Sequence, residues 1–169
     1  MQPPGDVDWV SAHLYHGGDL DALVTGVVAP LVDETTTAGL VDGHFFLRYW
    51  DGGLHVRLRL RPARHEHAGP VRDRVRHRAA AHFAAHPSAP AMSTEVYRTL
   101  APTLARGERL DRYEPRLLPN DSVRFIAYRP EHHAYGTGPA LAAMALDSVK
   151  WRSTAASAGP VPYAWCSGR

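Results

Sequence analysis

The run Leu54-His55-Val56-Arg57-Leu58-Arg59-Leu60-Arg61 alternates apolar and polar residues without a break. That period of two belongs to a β-strand, whose successive side chains point to opposite faces. Leu54, Val56, Leu58 and Leu60 share one face, and His55, Arg57, Arg59 and Arg61 share the other. Asp51-Gly52-Gly53 precedes the run and the extended stretch His44–Trp50 precedes the turn, a strong local hairpin signal. Guanidinium groups then stand about 7 Å apart along the strand. Solvent or a bound anion has to offset their repulsion. An exposed edge strand carries charge in the same way to deter aggregation. This hairpin, however, lies in the interior of the element order, where both of its strands normally have neighbours.

Register decides what joins that face, because a one-residue slip flips every side chain of a strand. A two-residue turn at Gly52-Gly53 pairs Trp50 with His55 and Arg48 with Arg57. A three-residue turn opposes Tyr49 to His55 and sets Leu47 beside Arg57. The sequence admits both.

Around the hairpin the hydrophobic period changes at Gly and Pro clusters. Trp9 to Tyr15 alternates as a half-buried strand, with Val10, Ala12 and Leu14 opposite Trp9, Ser11, His13 and Tyr15. Asp19 is placed to cap a helix carrying Leu20, Leu23, Val24, Val27, Val28 and Leu31 at helical spacing, which Pro30 kinks or restarts. Pro70–His86 reads as a second helix with Val71, Val75, Ala79, His82 and Phe83 along one stripe. A short helix is expected near Glu95–Leu104, a strand over Ser122–Tyr128 and a further helix from Pro139 to about Trp151. Strand, helix, strand, strand, helix, insertion, strand, helix is the order of an α+β, ferredoxin-like split βαβ sheet with helices on one face. Residues 1–152 are expected to form one domain and 153–169 a loose C-terminal tail.

The chain has 169 residues, 44% hydrophobic and 21% charged, with one cysteine, Cys166. Such numbers describe a single globular domain and exclude an internal disulfide or a thiolate zinc cluster. No apolar run reaches membrane-spanning length, and Met-Gln-Pro-Pro-Gly-Asp lacks the features of a signal peptide, so a cytoplasmic location without membrane contact is expected. Of 19 basic residues 18 are arginine, and eight fall between Leu54 and Arg78 against only Glu66 and Asp73. A local excess of planar, forked cations favours an anionic ligand; a high-GC genome produces arginine-rich surfaces for unrelated reasons. His65-Glu66-His67, the pair His132-His133, and His82 with His86 lack a third ligand set by spacing, so no metal site and no cofactor are expected.

Tyr15, Val28-Ala29-Pro30-Leu31, His44-Phe45-Phe46-Leu47-Arg48-Tyr49 and the turn followed by His55-Val56-Arg57-Leu58-Arg59 resemble the thiopeptide-type bacteriocin biosynthesis domain. This is also the C-terminal elimination domain of lantibiotic dehydratases. A second block, Tyr128-Arg129-Pro130-Glu131, Ala134-Tyr135-Gly136 and a helix closing on Asp147-Ser148, is similar to the family's Tyr-x-x-Glu, aromatic-Gly-Gly and Asp-Ser. Ala134 stands where lantibiotic-type members place arginine, and Thr137 replaces the second glycine. The resemblance implies maturation of a ribosomally made peptide. In one branch glutamate is expelled from a glutamylated Ser or Thr to leave a dehydroamino acid; in another, two dehydroalanines are joined into a pyridine with release of the leader.

Elimination requires a base for the Cα proton, stabilisation of the enolate and neutralisation of the departing carboxylate. Arg57 and Arg59 match the last two tasks, and His55, with an ordinary pKa near 6.5, is the candidate base. Arg48, Tyr49, Tyr128, Glu131 and Tyr135 are the candidate substrate-binding residues; Glu131 either accepts bonds from the arginine face or caps the turn before the last helix. The expected partner is the modified precursor peptide, with no directly bound nucleic acid. A non-catalytic peptide-binding subunit of a split dehydratase is the alternative from another class, motivated by Ala134. Aromatics such as Trp9, Tyr15, Phe46 and Trp50 fall on the sheet's open face in one register, which predicts a homodimer or hetero-complex burying at least roughly 1,000 Å².

Overall fold

A computed structural model describes residues 9–128. Four strands, β1 (Val10–Tyr15), β2 (Val41–Tyr49), β3 (His55–Pro62) and β4 (Ser122–Phe125), form one antiparallel sheet in the order β2-β3-β1-β4. The β3 strand lies between β1 and β2, which is the split βαβ arrangement the element order predicts.

The first crossover is a continuous helical segment in three parts. Asp19 caps it through a bond from the Asp21 amide, α1 covers Leu20–Leu23, a π-helical turn covers Val24–Val28, and α2 covers Ala29–Thr37. Pro30 starts the last part. Having no N–H, it cannot bond back into the preceding turn, and a wider turn at that point absorbs the missing bond. The second crossover runs through a short 3-10 turn (His65–His67) into α3 (Ala68–Ala85). Both crossovers pack on one face of the sheet. Val10, Ala12, Leu14, Val56, Leu58 and Leu60 from the strands meet Leu23, Val27, Leu31, Val71 and Val75 from the helices, all without solvent contact. Each valine or leucine among them contributes about 1.5–3 kcal/mol by leaving water, so the core follows directly from the two periods in the sequence.

The insertion between α3 and β4 contains α4 (Thr94–Gly107), capped by Ser93 and longer than the spacing suggested. The fourth strand is shorter than expected and ends at Phe125. The expected helix near 139–151, the tail, and the candidates Glu131 and Tyr135 lie outside the described residues.

The hairpin adopts the longer turn. Tyr49 pairs with His55, Leu47 with Arg57 and Phe45 with Arg59. Gly53 N–H bonds to the Trp50 carbonyl at 2.8 Å, and Gly52 sits in the turn at φ +79°, a conformation that favours glycine. This register corrects the expectation of an open aromatic face. Phe46 pairs with Leu58 and packs against the core on the helix side. On the opposite side, Ser11, His13, Tyr15, Phe45, Leu47, His55 and Arg59 are buried within the single chain. At these positions the face that a homodimer or hetero-complex was expected to bury is already buried within one chain. Among the described residues no helix is long and apolar enough to cross a membrane.

Candidate functional site

The face of the sheet turned away from the helices collects the polar residues. Along β3 it carries His55, Arg57 and Arg59. Beside them in register stand Tyr15, His13 and Ser11 of β1, paired respectively with those three.

Arg57 is held from several directions. Its Nε donates to His55 Nε2 at 3.1 Å, an Nη lies 3.5 Å from the Asp51 carboxylate, and its Cζ sits 3.7 Å from the centre of the Tyr49 ring. A guanidinium stacked on an aromatic face and bonded along its edge has little freedom left to lose on binding. Arg59 is 3% exposed, and its Cζ lies 5.7 Å from the Tyr128 ring. Tyr128 in turn leans on Trp9 and Phe45, at 5.7 and 6.5 Å between ring centres.

His55 has no solvent contact. Its Nδ1 lies 2.7 Å from the Gly53 carbonyl. A carbonyl only accepts, so Nδ1 carries the proton and Nε2 offers its lone pair to Arg57. Burial pushes the ring's pKa down to about 3, outweighing the Gly53 bond, with Arg57 and Arg59 adding to the effect. His13 stacks on it with ring centres 4.9 Å apart and 20° between planes. Burial, then the proximity of His55, Arg57 and Arg59, brings His13 down to about 2. Both imidazoles are therefore neutral across the physiological range. Tyr15, 4.5 Å from the His55 ring, is raised to about 12, chiefly by burial.

The insertion clamps the hairpin end of this face. Tyr97 of α4 accepts from the Gly52 amide at 2.8 Å and donates to the Glu114 carbonyl at 2.5 Å. Asp51 accepts from the Glu114 amide at 2.6 Å, and Leu118 N–H reaches the Gly52 carbonyl at 2.8 Å. Glu108 accepts from Tyr49 Oη at 2.6 Å and from Trp50 Nε1 at 2.8 Å. Burial and this carboxylate both raise the Tyr49 pKa. Burial likewise raises that of Asp51. Between this clamp and the end of β1 lies a cavity of about 410 Å³, walled by Tyr15, Leu54, Met92, Leu117 and Leu118.

The structure thus brings together His55, Arg57, Arg59, Tyr49 and Tyr128. It separates Arg48, which pairs with Val56 and turns to the helix side, where it meets Asp21. Most of the surrounding arginine excess is matched within the chain: Arg61 with Asp42, Arg74 and Arg78 with Glu34, Arg76 with Asp73. Ser11, His13 and Asp51 were not singled out from the sequence. Alternation in β1 already sets Ser11 and His13 on the polar side of that strand, and the pairing of β1 with β3 supplies the rest.

A second cluster has the membership of a catalytic triad without its wiring. His16 Nδ1 lies 2.6 Å from Asp121 Oδ1, and Ser88 Oγ gives its one proton to the same oxygen at 2.6 Å. Asn120 and the Gly17 amide donate to Ser88 Oγ at 2.8 and 3.1 Å. Ser88 Oγ also lies 3.0 Å from His16 Nδ1, the same nitrogen that faces Asp121; the histidine of a triad meets serine and aspartate with its two different ring nitrogens, so this cluster instead ties the insertion to the end of β1. Gly17 belongs to that closure, since a Cβ there would lie 1.9 Å from the Ala89 carbonyl. Among the described residues no group of three His, Cys, Asp or Glu side chains is placed to hold a metal ion.

Fold and site together define a ferredoxin-like α+β domain with a buried, arginine-bearing sheet face. The sequence matches the family model for the lantibiotic biosynthesis dehydratase C-terminal region over residues 9–151, and the chain belongs to that family. Among solved structures it is similar to the pyridine synthase TbtD from thiomuracin biosynthesis, with a TM-score of 0.70 at 22% identity. That likeness covers 90% of this chain and 50% of the other, so the chain spans about half the length of that relative. No curated protein matches it.

Proposed function

We propose that this domain acts on a glutamylated precursor peptide and expels glutamate to leave a dehydroamino acid. A base takes the Cα proton, the electron pair forms the Cα=Cβ bond, the Cβ–O bond breaks and glutamate departs as a carboxylate. The observation that carries this reading is the shared face of Arg57 and Arg59, two forked cations in a region where burial strengthens their pull on an anion. In this reading His55 is a positioning residue: a ring with a pKa of about 3, whose lone pair already receives Arg57, abstracts a carbon-bound proton poorly. The cavity beside Tyr15 has the size and apolar lining to hold a side chain of the peptide.

Purified protein incubated with glutamylated precursor peptide should release glutamate, read as a mass loss, and Arg57→Ala with Arg59→Ala should abolish it. No release, beside a competent dehydratase as control, overturns elimination. Likeness to a pyridine synthase favours a second reading, in which two dehydroalanines are joined into a pyridine and the leader is released. A dehydrated peptide substrate tests it by the same mass readout. Product formation in vivo that survives both arginine changes would leave a peptide-binding role beside a separate dehydratase subunit.

A further inference from the structure

We propose that α4 is a self-association surface, on which a second copy of this chain packs its own α4 antiparallel across a two-fold axis near Leu100. The proposal goes beyond the catalytic reading and does not rest on it, since the sheet face and its arginines take no part.

One side of α4 is spent on the chain itself: Tyr97, Ala101 and Ala105 are buried. On the neighbouring side Val96, Leu100 and Leu104 stand 46, 44 and 38% exposed, three of the four exposed large hydrophobic side chains among the described residues. A spacing of four sets them one above another along a single stripe. Hydrophobic side chains scattered singly on a surface are ordinary, whereas three aligned on one helix make a continuous seam of the kind that marks a contact. By the same spacing Thr99 and Thr103 lie beside the seam and Gly107 at its end, so no long side chain there holds a partner off. Tyr97 keeps its bond to the Gly52 amide on the inner side, and the contact needs no rearrangement of the hairpin clamp.

The pattern is its own complement, which is what a two-fold interface requires. With the partner helix antiparallel about Leu100, Val96 falls level with the partner subunit's Leu104, and Leu100 meets the partner subunit's Leu100. Glu95 in the first turn and Arg106 in the last share one flank of the helix, within about 20° of each other around its axis. The same two-fold brings each Glu95 level with the partner subunit's Arg106 to about 1.5 Å along the helix, on the same side of the seam. A parallel pairing would set like charges level instead. Within the chain both charges are available: Glu95 makes no ion pair among the described residues, and Arg106 reaches only the Thr103 hydroxyl at 3.3 Å. Such pairs at a rim fix orientation more than they add affinity. One helix stripe covers less than the roughly 800 Å² per partner of a standard interface, so the association is weak and depends on concentration.

Sedimentation velocity of the full chain, from about 5 μM to about 500 μM, should show a mass rising from one chain toward two. Leu100→Glu should hold it at one chain with an unchanged thermal midpoint, because the side chain is exposed. Glu95→Arg alone and Arg106→Glu alone should each weaken association about three- to ten-fold, and the two changes together should restore it. That recovery distinguishes this pairing from any contact that merely needs apolar surface. In a Cys166→Ser chain under added oxidant, Leu100→Cys should give a disulfide-linked dimer, since the two-fold sets position 100 beside itself, whereas Arg98→Cys on the far flank should not. A single-chain mass at every concentration overturns the proposal and leaves the stripe to another segment of this chain or to a different protein. Association that survives Leu100→Glu, or that the charge exchange fails to restore, overturns it by placing the contact elsewhere. Should Leu100→Glu fail to fold, the crosslink decides, and its absence in Leu100→Cys overturns the proposal.

Discussion

Arg57 Nε donates to His55 Nε2 at 3.1 Å while the opposite ring nitrogen faces the Gly53 carbonyl at 2.7 Å. One imidazole thus links the hairpin turn to the guanidinium two residues along the same strand. The ring's tautomer is fixed by its neighbours, and the direction in which Arg57 points is fixed by the ring.

If His55 positions Arg57, then His55→Phe, which keeps the ring stack and loses both nitrogens, should lower the elimination rate by about 10- to 100-fold through a misaimed cation. The pH–rate profile between pH 5 and 8 should keep its shape, because a group with a pKa of about 3 does not titrate there. Single-turnover rates across that range check this. An ionisation near pH 6.5 that disappears with the substitution would make His55 the base.

Both buried histidines also make the fold sensitive to acid. Their folded pKa values, about 2 for His13 and about 3 for His55, lie below the ordinary value of 6.5. Between those limits the unfolded chain binds more protons than the folded one, so stability is complete above about pH 6.5 and falls as pH drops toward 3. Each ring contributes a slope of at most about 1.4 kcal/mol per pH unit. Urea midpoints measured from pH 7 to pH 4 should fall steadily, and the double change His13→Phe with His55→Phe should flatten that dependence. A wild-type midpoint constant over that range contradicts the assignment.

The hairpin, the helix stripes and the arginine face were legible because each is a local pattern whose period the backbone geometry dictates. The register was not. It turns on whether Asp51 belongs to the turn, and what holds Asp51 is the amide of Glu114, 63 residues away. Phe46 and Arg48 were accordingly open to either face until Tyr97 and Leu118 were seen on Gly52. Ser11 and His13 were visible as the polar side of a strand, but only the pairing of β1 with β3 shows which charges they meet.

That dependence on the insertion makes Tyr97 a sensitive position. Tyr97→Phe keeps the packing of a residue 1% exposed and removes its hydroxyl. The Gly52 amide and the Glu114 carbonyl then lose their partner together, at a cost of about 1–3 kcal/mol in equilibrium unfolding. Amide exchange at Gly52 should accelerate in the same variant. Protection equal to wild type would show that the turn holds its shape without the insertion.

Ser88→Ala separates a latch from a nucleophile. The hydroxyl bonds to Asp121 and accepts from Asn120 and Gly17, so its loss should lower stability by about 1–2 kcal/mol and leave turnover per folded molecule unchanged. Loss of turnover at full stability would instead give the cluster a part in chemistry.

Arg57 offers the sharpest test of shape against charge. A lysine at this position keeps a positive charge but carries it as a compact ammonium, with no Nε to meet His55 and no plane to lie on Tyr49. If the site needs only a cation, Arg57→Lys should work nearly as well as wild type. If it needs a fork held in one orientation, Arg57→Lys should lose about 10- to 100-fold in glutamate release and Arg57→Gln a further order of magnitude, because glutamine also removes the charge that draws the leaving carboxylate. The titration of Asp51 gives a second readout. Asp51 already has a raised pKa from burial and is partly held down by Arg57, so Arg57→Gln should raise it further while Arg57→Lys changes it less. Carboxyl titrations followed by ¹³C spectroscopy, run beside the rate measurements, read both effects on the same proteins, and full activity in Arg57→Lys would reduce the role of Arg57 to that of a point charge.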